Sequence, residues 1–221
     1  MDMGDSRQLI AQRAAKEIVS GMIVNLGIGI PSLIPDYLDP SNRVFFHTEN
    51  GLLGFGPTPA ENPDWTLSNA AGYPVSIVEG GIYFDSTISF GMIRSGRIDL
   101  AVLGSLQVSA AGDLANWIVP GKRVPGVGGA MELAYGAKHL IALMQHCEKN
   151  GKPKIVRKCT LPLTATSCVK RVITEMGVFD IDPQHGLTLT EVMPGFMVSD
   201  LRNHTEADFI LSENLNGENH D

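Results

Sequence analysis

The sequence has few cysteines, few aromatic residues and fewer basic than acidic side chains. Cys147, Cys159 and Cys168 form no CxxC pair, so we expect reduced thiols and a cytoplasmic protein. The 17 Lys and Arg against 24 Asp and Glu give a net charge of −7, which argues against a general nucleic-acid or anionic-membrane surface. No apolar run reaches the roughly 18 residues of a membrane helix. The N-terminus also lacks the basic and apolar regions of a signal peptide.

Glycine, by contrast, is abundant, and its 24 copies fall into clusters rather than repeats. The clusters are NLGIG at 25–29, ENGLLGFG at 49–56, VEGG at 78–81 and PGVGG at 125–129. Most of them come directly after an apolar run. In α/β folds this is where parallel strands give way to loops and where ligands bind.

Short apolar runs alternate with segments of helical periodicity along most of the chain. We predict strands at 22–26, 44–47, 75–78, 100–103, 139–144, 178–181 and 187–192, and helices near 5–20, 30–38, 86–95, 131–135, 168–176 and 200–207. Turn residues near 111–113 and 184–186 predict hairpins. This order predicts one α/β domain over 1–211, with a single open, mainly parallel sheet, flanking helices and some antiparallel edge strands. Residues 212–221 are polar, and we expect a disordered tail there.

The NLGIG segment places Gly27 and Gly29 between a strand and a helix. A dinucleotide-binding fingerprint needs a third glycine, and Ser32 stands in its place, so the match is weak. The segment is equally explained by a tight strand–helix turn. A broader functional interpretation is a loop that lets the backbone approach a phosphate or a pantetheine chain at a helix N-terminus.

The PGVGG segment can bring consecutive backbone N–H groups of Gly126, Gly128 and Gly129 to one point. Such an arrangement binds an anion or an oxyanion, although a plain glycine-rich turn would have the same sequence. Lys122 and Arg123 precede it and could either contact phosphates or remain solvated.

The FFHTENGLLG segment places Glu49 directly after a strongly apolar strand and before a glycine-rich turn. A carboxylate at the end of such a strand has low-dielectric walls around it, which makes it a better nucleophile than in water. A solvated turn glutamate is the competing interpretation. His47 shares a face with Glu49 if the strand continues that far, so it could tune the carboxylate or simply fill the core.

FHTENGLLG resembles the active-site motif of the CoA-transferases that carry an acyl group on a glutamate. NLGIGIP, LGSLQVSAAGDLANWIVPGK, PGVGGAMEL and KCTLPLT resemble the same family in the same order, so the resemblance covers about 6–208. The most similar family is that of the β subunits of 3-oxoacid CoA-transferases. Thr48 stands where the family usually has Ser, and Glu132 where it more often has Asp.

This resemblance implies the CoA-transferase fold and a reaction that moves CoA between succinyl-CoA and a 3-oxoacid such as acetoacetate. It makes Glu49 the nucleophile that carries CoA as a glutamyl thioester, with CoA as substrate and with no metal or tightly bound cofactor. Residues implied to face CoA or an oxyanion are Gly126, Gly128, Gly129, Gly27, Gly29, Gly104 and Asn50. For Asn50, orienting the glutamate and capping a turn are equally open.

The resemblance also implies a partner, because these enzymes consist of α and β halves. We expect an α subunit that completes the active site, in an α2β2 assembly. Three alternatives stay open: a related short-chain transferase (acetoacetate/butyrate or 3-oxoadipate), a non-catalytic CoA-binding subunit, and a nucleotide-dependent dehydrogenase using NLGIG.

Overall fold

The computed structural model describes residues 3–70, 72–121 and 126–216. The helices in these ranges are α1 Met3–Ala15, a 3₁₀ helix Ile30–Tyr37, α2 Ser86–Arg94, α3 Ala130–Gly136, α4 Val198–His204 and α5 Glu213–Asn216. The strands there are β1 Ile23–Leu26, β2 Phe45–Thr48, β3 Leu52–Phe55, β4 Ile77–Tyr83, β5 Leu100–Gly104, β6 Gln107–Ser109, β7 Leu114–Ala115, β8 His139–Leu143, β9 Ile155–Val156, β10 Arg171–Ile173, β11 Gly177–Asp182, β12 Gly186–Val192 and β13 Ile210–Leu211.

A ten-stranded sheet runs through the described residues in the order β13-β12-β11-β10-β8-β5-β1-β2-β3-β4. Its centre, β10-β8-β5-β1-β2, is parallel throughout. On one side β2 pairs antiparallel with β3, and β3 with β4. On the other side β10, β11 and β12 form antiparallel pairs. The predicted α/β class and mainly parallel sheet with antiparallel edge strands are confirmed.

Apolar side chains cover both faces of this sheet. Ile10 and Ala14 of α1, and Ile18 just after it, pack with the 3₁₀ helix on one face. Helices α2, α3 and α4 contribute to a second cluster on the other face, together with the small sheet described below. Residues of β2 alternate between these layers: Phe46 belongs to the first cluster, whereas His47 contacts α2. The central strands are therefore buried on both faces, as parallel strands usually are.

Several predicted elements differ from the structure. The helix predicted at 168–176 is wrong: the segment contains β10, and its β-branched Val172 and Ile173 fit a strand between β8 and β11. The strand predicted at 75–78 instead runs as β4 from Ile77 to Tyr83, through both glycines. The helix predicted at 30–38 is a 3₁₀ helix that contains Pro31 and Pro35.

The sheet is not single, because β7, β6 and β9 form a separate three-stranded sheet. The predicted hairpins are present, as β6–β7 and β11–β12. The tail predicted to be disordered from 212 begins with α5 instead, since Leu215 packs against the core. Residues 217–221 of that prediction lie outside the described residues. Over the described ranges, no helix is long and apolar enough to cross a membrane.

Candidate active site

Glu49 lies in the three-residue turn that joins β2 to β3. The turn is closed by the Gly51 N–H, which donates to the Thr48 carbonyl oxygen at 3.2 Å. Gly51 has φ +111°, and a Cβ there would overlap the carbonyl oxygen of Phe84. Only glycine fits this position without displacing the chain. The turn thus holds the half-buried Glu49 at the carboxyl end of β2, a strand of the parallel block.

Gly129, the residue before α3, lies against the Glu49 side chain. A Cβ added to Gly129 would lie 2.7 Å from Glu49 Cγ and 2.9 Å from Oε1. The Glu49 side chain therefore occupies the space that the Cβ of any other residue at position 129 would need. The structure brings together two segments that are about 80 positions apart in the sequence, TENG and PGVGG.

Gly126 and Gly128 of the same segment have open space around them. Gly126 and Gly128 have positive φ, +99° and +55°, and a Cβ at either would meet no atom within 4 Å. Both residues are exposed. Lys122 and Arg123, the predicted phosphate contacts, lie outside the described residues.

The 27–29 loop lies against the end of β5. The Gly27 N–H donates to the Val102 carbonyl oxygen at 2.8 Å, and a Cβ on Gly104 would lie 3.5 Å from the Ile28 carbonyl oxygen. Gly29, with φ +92°, has open space around it. Gly27, Ile28 and Thr48 share the wall of a cavity of about 50 Å³. The loop is therefore next to the strand end that carries Glu49.

The Asn50 side chain is bonded outside the turn. Its Nδ2 donates to the Ser68 carbonyl oxygen at 2.8 Å. This bond ties the turn to the long connection between β3 and β4. This tether is neither of the two roles that the sequence left open for Asn50, and both stay predictions.

His47 is buried, with 1% of its surface exposed. Its Nδ1 lies 3.2 Å from Asn25 Nδ2, and its Nε2 lies 2.9 Å from Ser89 Oγ. Burial lowers the pKa of His47 to about 4, with a smaller opposing contribution from its hydrogen bond to Ser89. The imidazole is therefore neutral at physiological pH and is held by β1 and α2.

Residues 7–203 match the family model for coenzyme A transferase. The chain belongs to the coenzyme A transferase family.

Relatives extend over nearly the whole chain. The probable coenzyme A transferase subunit beta from Bacillus subtilis (strain 168) is 55% identical over 203 residues, which are 91% of this chain and 93% of the relative. The human mitochondrial succinyl-CoA:3-ketoacid coenzyme A transferase 2 is 49% identical over 213 residues, which are 96% of this chain and 41% of that protein. This coenzyme A transferase chain thus spans about two fifths of the human relative.

Among solved structures, the acyl-CoA transferase YdiF apoenzyme from Escherichia coli O157:H7 superposes with a TM-score of 0.77 at 22% identity, covering 94% of this chain and 42% of that one. At this identity the likeness concerns the fold alone. It agrees with the α/β architecture described above.

Two residues of the site in this coenzyme A transferase were not singled out from the sequence, namely Asn25 and Ser89. Asn25 lies inside the NLGIG motif, where the glycines are the conspicuous residues. Ser89 sits one turn after Asp85, which caps α2 through the Ile88 N–H at 2.9 Å. No local pattern marks either residue, because Asn25 reaches His47 through the pairing of β1 with β2 and Ser89 reaches it through the packing of α2 on the sheet.

The ionisable groups of the described residues also include possible metal ligands and three cysteines. Within the described ranges, no group of three His, Cys, Asp or Glu side chains could hold a metal ion. All three cysteines are unpaired. Burial raises the pKa of Cys159 and Cys168 to about 11, so both are protonated thiols at neutral pH.

Proposed function

We propose that this coenzyme A transferase chain is a β subunit that moves CoA between succinyl-CoA and a 3-oxoacid such as acetoacetate, with Glu49 as the nucleophile. The observation that carries the proposal is the contact between the Glu49 carboxylate and Gly129 at the carboxyl end of β2. It joins the two glycine-containing motifs of the sequence around one carboxylate, in a chain of this family.

The first half of the reaction transfers CoA to the protein. The Glu49 carboxylate attacks the thioester carbonyl of succinyl-CoA, the C–S bond breaks, and a mixed anhydride and CoA thiolate form. The thiolate then attacks the glutamyl carbonyl carbon. Succinate leaves as a carboxylate, and CoA remains as a thioester on Glu49.

The second half reverses these steps with the acceptor. The acceptor carboxylate attacks the glutamyl thioester, which releases CoA thiolate and forms a second mixed anhydride. The thiolate attacks the acceptor's acyl carbon, so the new acyl-CoA leaves and Glu49 is a carboxylate again. Each transfer exchanges one carboxylate and one thioester for another pair, so the overall reaction is close to thermoneutral and needs no redox step.

Each tetrahedral intermediate carries an oxyanion, which aimed backbone donors stabilise. The 126–129 segment is the candidate for this role, because Gly129 lies against Glu49 and the positive φ of Gly126 and Gly128 leaves their backbone open. The 27–29 loop with Gly104 is the candidate surface for the CoA chain. Loss of one oxyanion donor typically costs about 3–4 kcal/mol of transition-state stabilisation.

We further propose that the partner is an α subunit. In the human relative, succinyl-CoA:3-ketoacid coenzyme A transferase 2, the region similar to this chain is 41% of the protein, which leaves length for a second half. The Bacillus subtilis relative carries the designation beta in its name. An α2β2 complex that completes the acceptor pocket accounts for both facts. Purification with and without the α subunit tests this, since full activity of the chain alone would contradict it.

The substrate assignment is supported by the name of the human relative and by the Glu49 chemistry. That chemistry is shared by transferases for acetoacetate/butyrate and for 3-oxoadipate. A panel of acyl-CoA donors and acid acceptors, assayed on the reconstituted complex, separates these alternatives by their kcat/KM ratios.

Mass spectrometry of the reconstituted complex tests the reaction class. After incubation with succinyl-CoA or acetoacetyl-CoA, a CoA adduct should map to the peptide that contains Glu49. Glu49→Gln keeps the size and loses the nucleophile, so the adduct should disappear. An intact complex without an adduct would favour a non-catalytic CoA-binding subunit, and an adduct elsewhere would overturn Glu49 as the nucleophile.

A further inference from the structure

Helix α2 is attached to both ends of the turn that carries Glu49. Ser89 Oγ donates to the Thr48 carbonyl oxygen at 2.9 Å, directly before Glu49. Phe84, just before α2, donates its N–H to the Gly51 carbonyl oxygen at 3.0 Å, at the other end of the turn. Because Asp85 caps the same helix, the start of α2 and the turn form one hydrogen-bonded unit.

The orientation of the buried groups can be assigned from acceptors that cannot donate. Asn25 Nδ2 lies 3.2 Å from the backbone carbonyl oxygen of His47 as well as 3.2 Å from its Nδ1. The carbonyl oxygen must accept, so the amide nitrogen faces His47 and donates to Nδ1. The imidazole proton is therefore on Nε2.

The same result follows from the other end of the network. The Thr48 carbonyl oxygen can only accept, so it takes the single hydroxyl proton of Ser89. Ser89 Oγ must then accept from Nε2–H of His47 at 2.9 Å. The chain of donors runs from Asn25 through His47 and Ser89 to the Thr48 carbonyl oxygen, one residue from Glu49.

Burial makes this network rigid. His47, Asn25 and Ser89 are at most 1% exposed, so water cannot replace a lost partner. Hydrogen bonds in series also polarise one another, which strengthens each of them. A turn held in this way keeps the Glu49 carboxylate in one place relative to Gly129.

We propose that Ser89 is a positioning residue for Glu49: its hydroxyl fixes the Thr48 carbonyl and thereby the direction in which the carboxylate meets the thioester. This rests on the proposed function of Glu49. Ser89 itself does not contact the substrate. Its effect belongs to the attack step, where misplacement by about 1 Å can cost about 100-fold in rate.

The test compares variants of the reconstituted complex in the rate at which the CoA adduct forms on Glu49. Ser89→Ala removes the hydroxyl, and Ser89→Cys keeps the volume with a thiol that is a weak hydrogen-bonding group. We expect both to slow adduct formation by about 10- to 100-fold, with KM for succinyl-CoA within about twofold of the wild type. Ser95→Ala, the same change at the exposed far end of α2, should leave the rate unchanged.

Each outcome decides the matter. A folded Ser89→Ala or Ser89→Cys protein that forms the adduct at the wild-type rate overturns the positioning role, as does a loss that lies in KM alone. If Ser89→Ala does not fold, Ser89→Cys carries the comparison. If the wild-type complex forms no adduct on Glu49, the proposed function itself fails, and the positioning role fails with it.

Discussion

Two polar clusters, each built around a buried histidine, lie at the ends of strands in the same sheet. The first, here the signature cluster, contains Asn25, His47, Glu49 and Ser89 around the β2–β3 turn. The second, here the distal cluster, contains His146, Cys147, Lys154 and Glu175 near the ends of β8 and β10. Both hold a buried histidine whose pKa burial lowers to about 4.

The distal cluster has the more strongly perturbed ionisable groups. Burial lowers the pKa of Lys154 to about 8 and raises the pKa of the Glu175 carboxyl. Glu175 accepts the His146 backbone N–H at 2.9 Å, and the His146 ring lies 3.0 Å from Thr174 Oγ1 and 2.9 Å from Thr205 Oγ1. Each of these contacts has a structural purpose, since it satisfies a buried group.

The signature cluster differs in what it leaves available. Its Glu49 lies in a tight turn and contacts Gly129. Gly126 and Gly128, which precede Gly129 in the chain, have open space around them. Perturbed pKa values thus indicate burial in both places, and we propose chemistry in only one of them. The position of a carboxylate at the end of a parallel strand distinguishes the site better than titration does.

The largest expected difference between the clusters is in how much CoA transfer is lost when the glutamate of each is replaced by glutamine. Glu49→Gln should reduce CoA transfer by at least about 1,000-fold, because it removes the nucleophile. Glu175→Gln should leave kcat within about threefold of wild type and lower the free energy of unfolding by about 1–3 kcal/mol. Steady-state assays and denaturant titrations of the reconstituted variants measure both. A comparable loss of transfer in Glu175→Gln would erase the distinction between the clusters.

The two histidines offer a closer comparison, because both are buried and bonded at both ring nitrogens. His47→Leu and His146→Leu each leave polar partners unpaired, so each should cost about 1–3 kcal/mol of stability. Only His47→Leu should also lower kcat, by about 10- to 100-fold, since it removes the donor that holds the Ser89 hydroxyl in its orientation toward the turn. The assay is kcat at a temperature where both variants are folded. Equal kcat values for the two variants would contradict the account.

The Gly129→Ala variant tests whether the close contact between position 129 and the Glu49 side chain matters for the reaction. The new Cβ would lie 2.7 Å from Glu49 Cγ, so the carboxylate must shift and kcat should fall about tenfold. Stability should change little, because φ at Gly129 is −82°, which alanine adopts readily. Gly91→Ala in α2, where a Cβ meets no atom within 4 Å, is the matched control. Unchanged kcat in Gly129→Ala would mean that the contact is not part of the site.

The last expected effect is a pH dependence that both clusters share. The pKa of His47 and of His146 is about 4 in the folded protein, against the ordinary value of 6.5. As the pH falls, both histidines are therefore protonated in the unfolded chain before they are protonated in the folded protein. The free energy of unfolding should therefore fall as the pH drops from 6.5 towards 4. Glu175 opposes this, because its raised pKa favours the protonated folded state as the pH falls. Urea titrations should give a shallower pH slope for either leucine variant, and an unchanged slope would refute the assignment.

The sequence predicted the architecture through its apolar runs and their glycine ends. Strands β1, β2, β5 and β8 were close to their predicted bounds because buried parallel strands are short and continuous in apolar character. The 168–176 segment was assigned wrongly, since Val172 and Ile173 become a strand only through pairing with β8 and β11. Tertiary pairing outweighed local periodicity there.

The site was predictable in part, for a related reason. Glu49 and Gly129 belong to motifs that can be recognised in the sequence. Asn25 and Ser89, in contrast, meet His47 only through the pairing of β1 with β2 and the packing of α2 on the sheet. The interpretation of His47 as a tuning group on the Glu49 face was open, and the structure places it in the core instead. Long-range packing cannot be inferred from spacing along one chain.

Transfer of heavy oxygen from a labelled acceptor carboxylate tests the central claim most directly. In the proposed reaction, one carboxylate oxygen of the acceptor bonds to the Glu49 carbonyl carbon, and it stays on Glu49 when CoA thiolate attacks the acceptor's acyl carbon. After one turnover of the reconstituted complex with labelled acceptor, the peptide containing Glu49 should carry one heavy oxygen. Transfer of CoA without label on that peptide would contradict the role of Glu49.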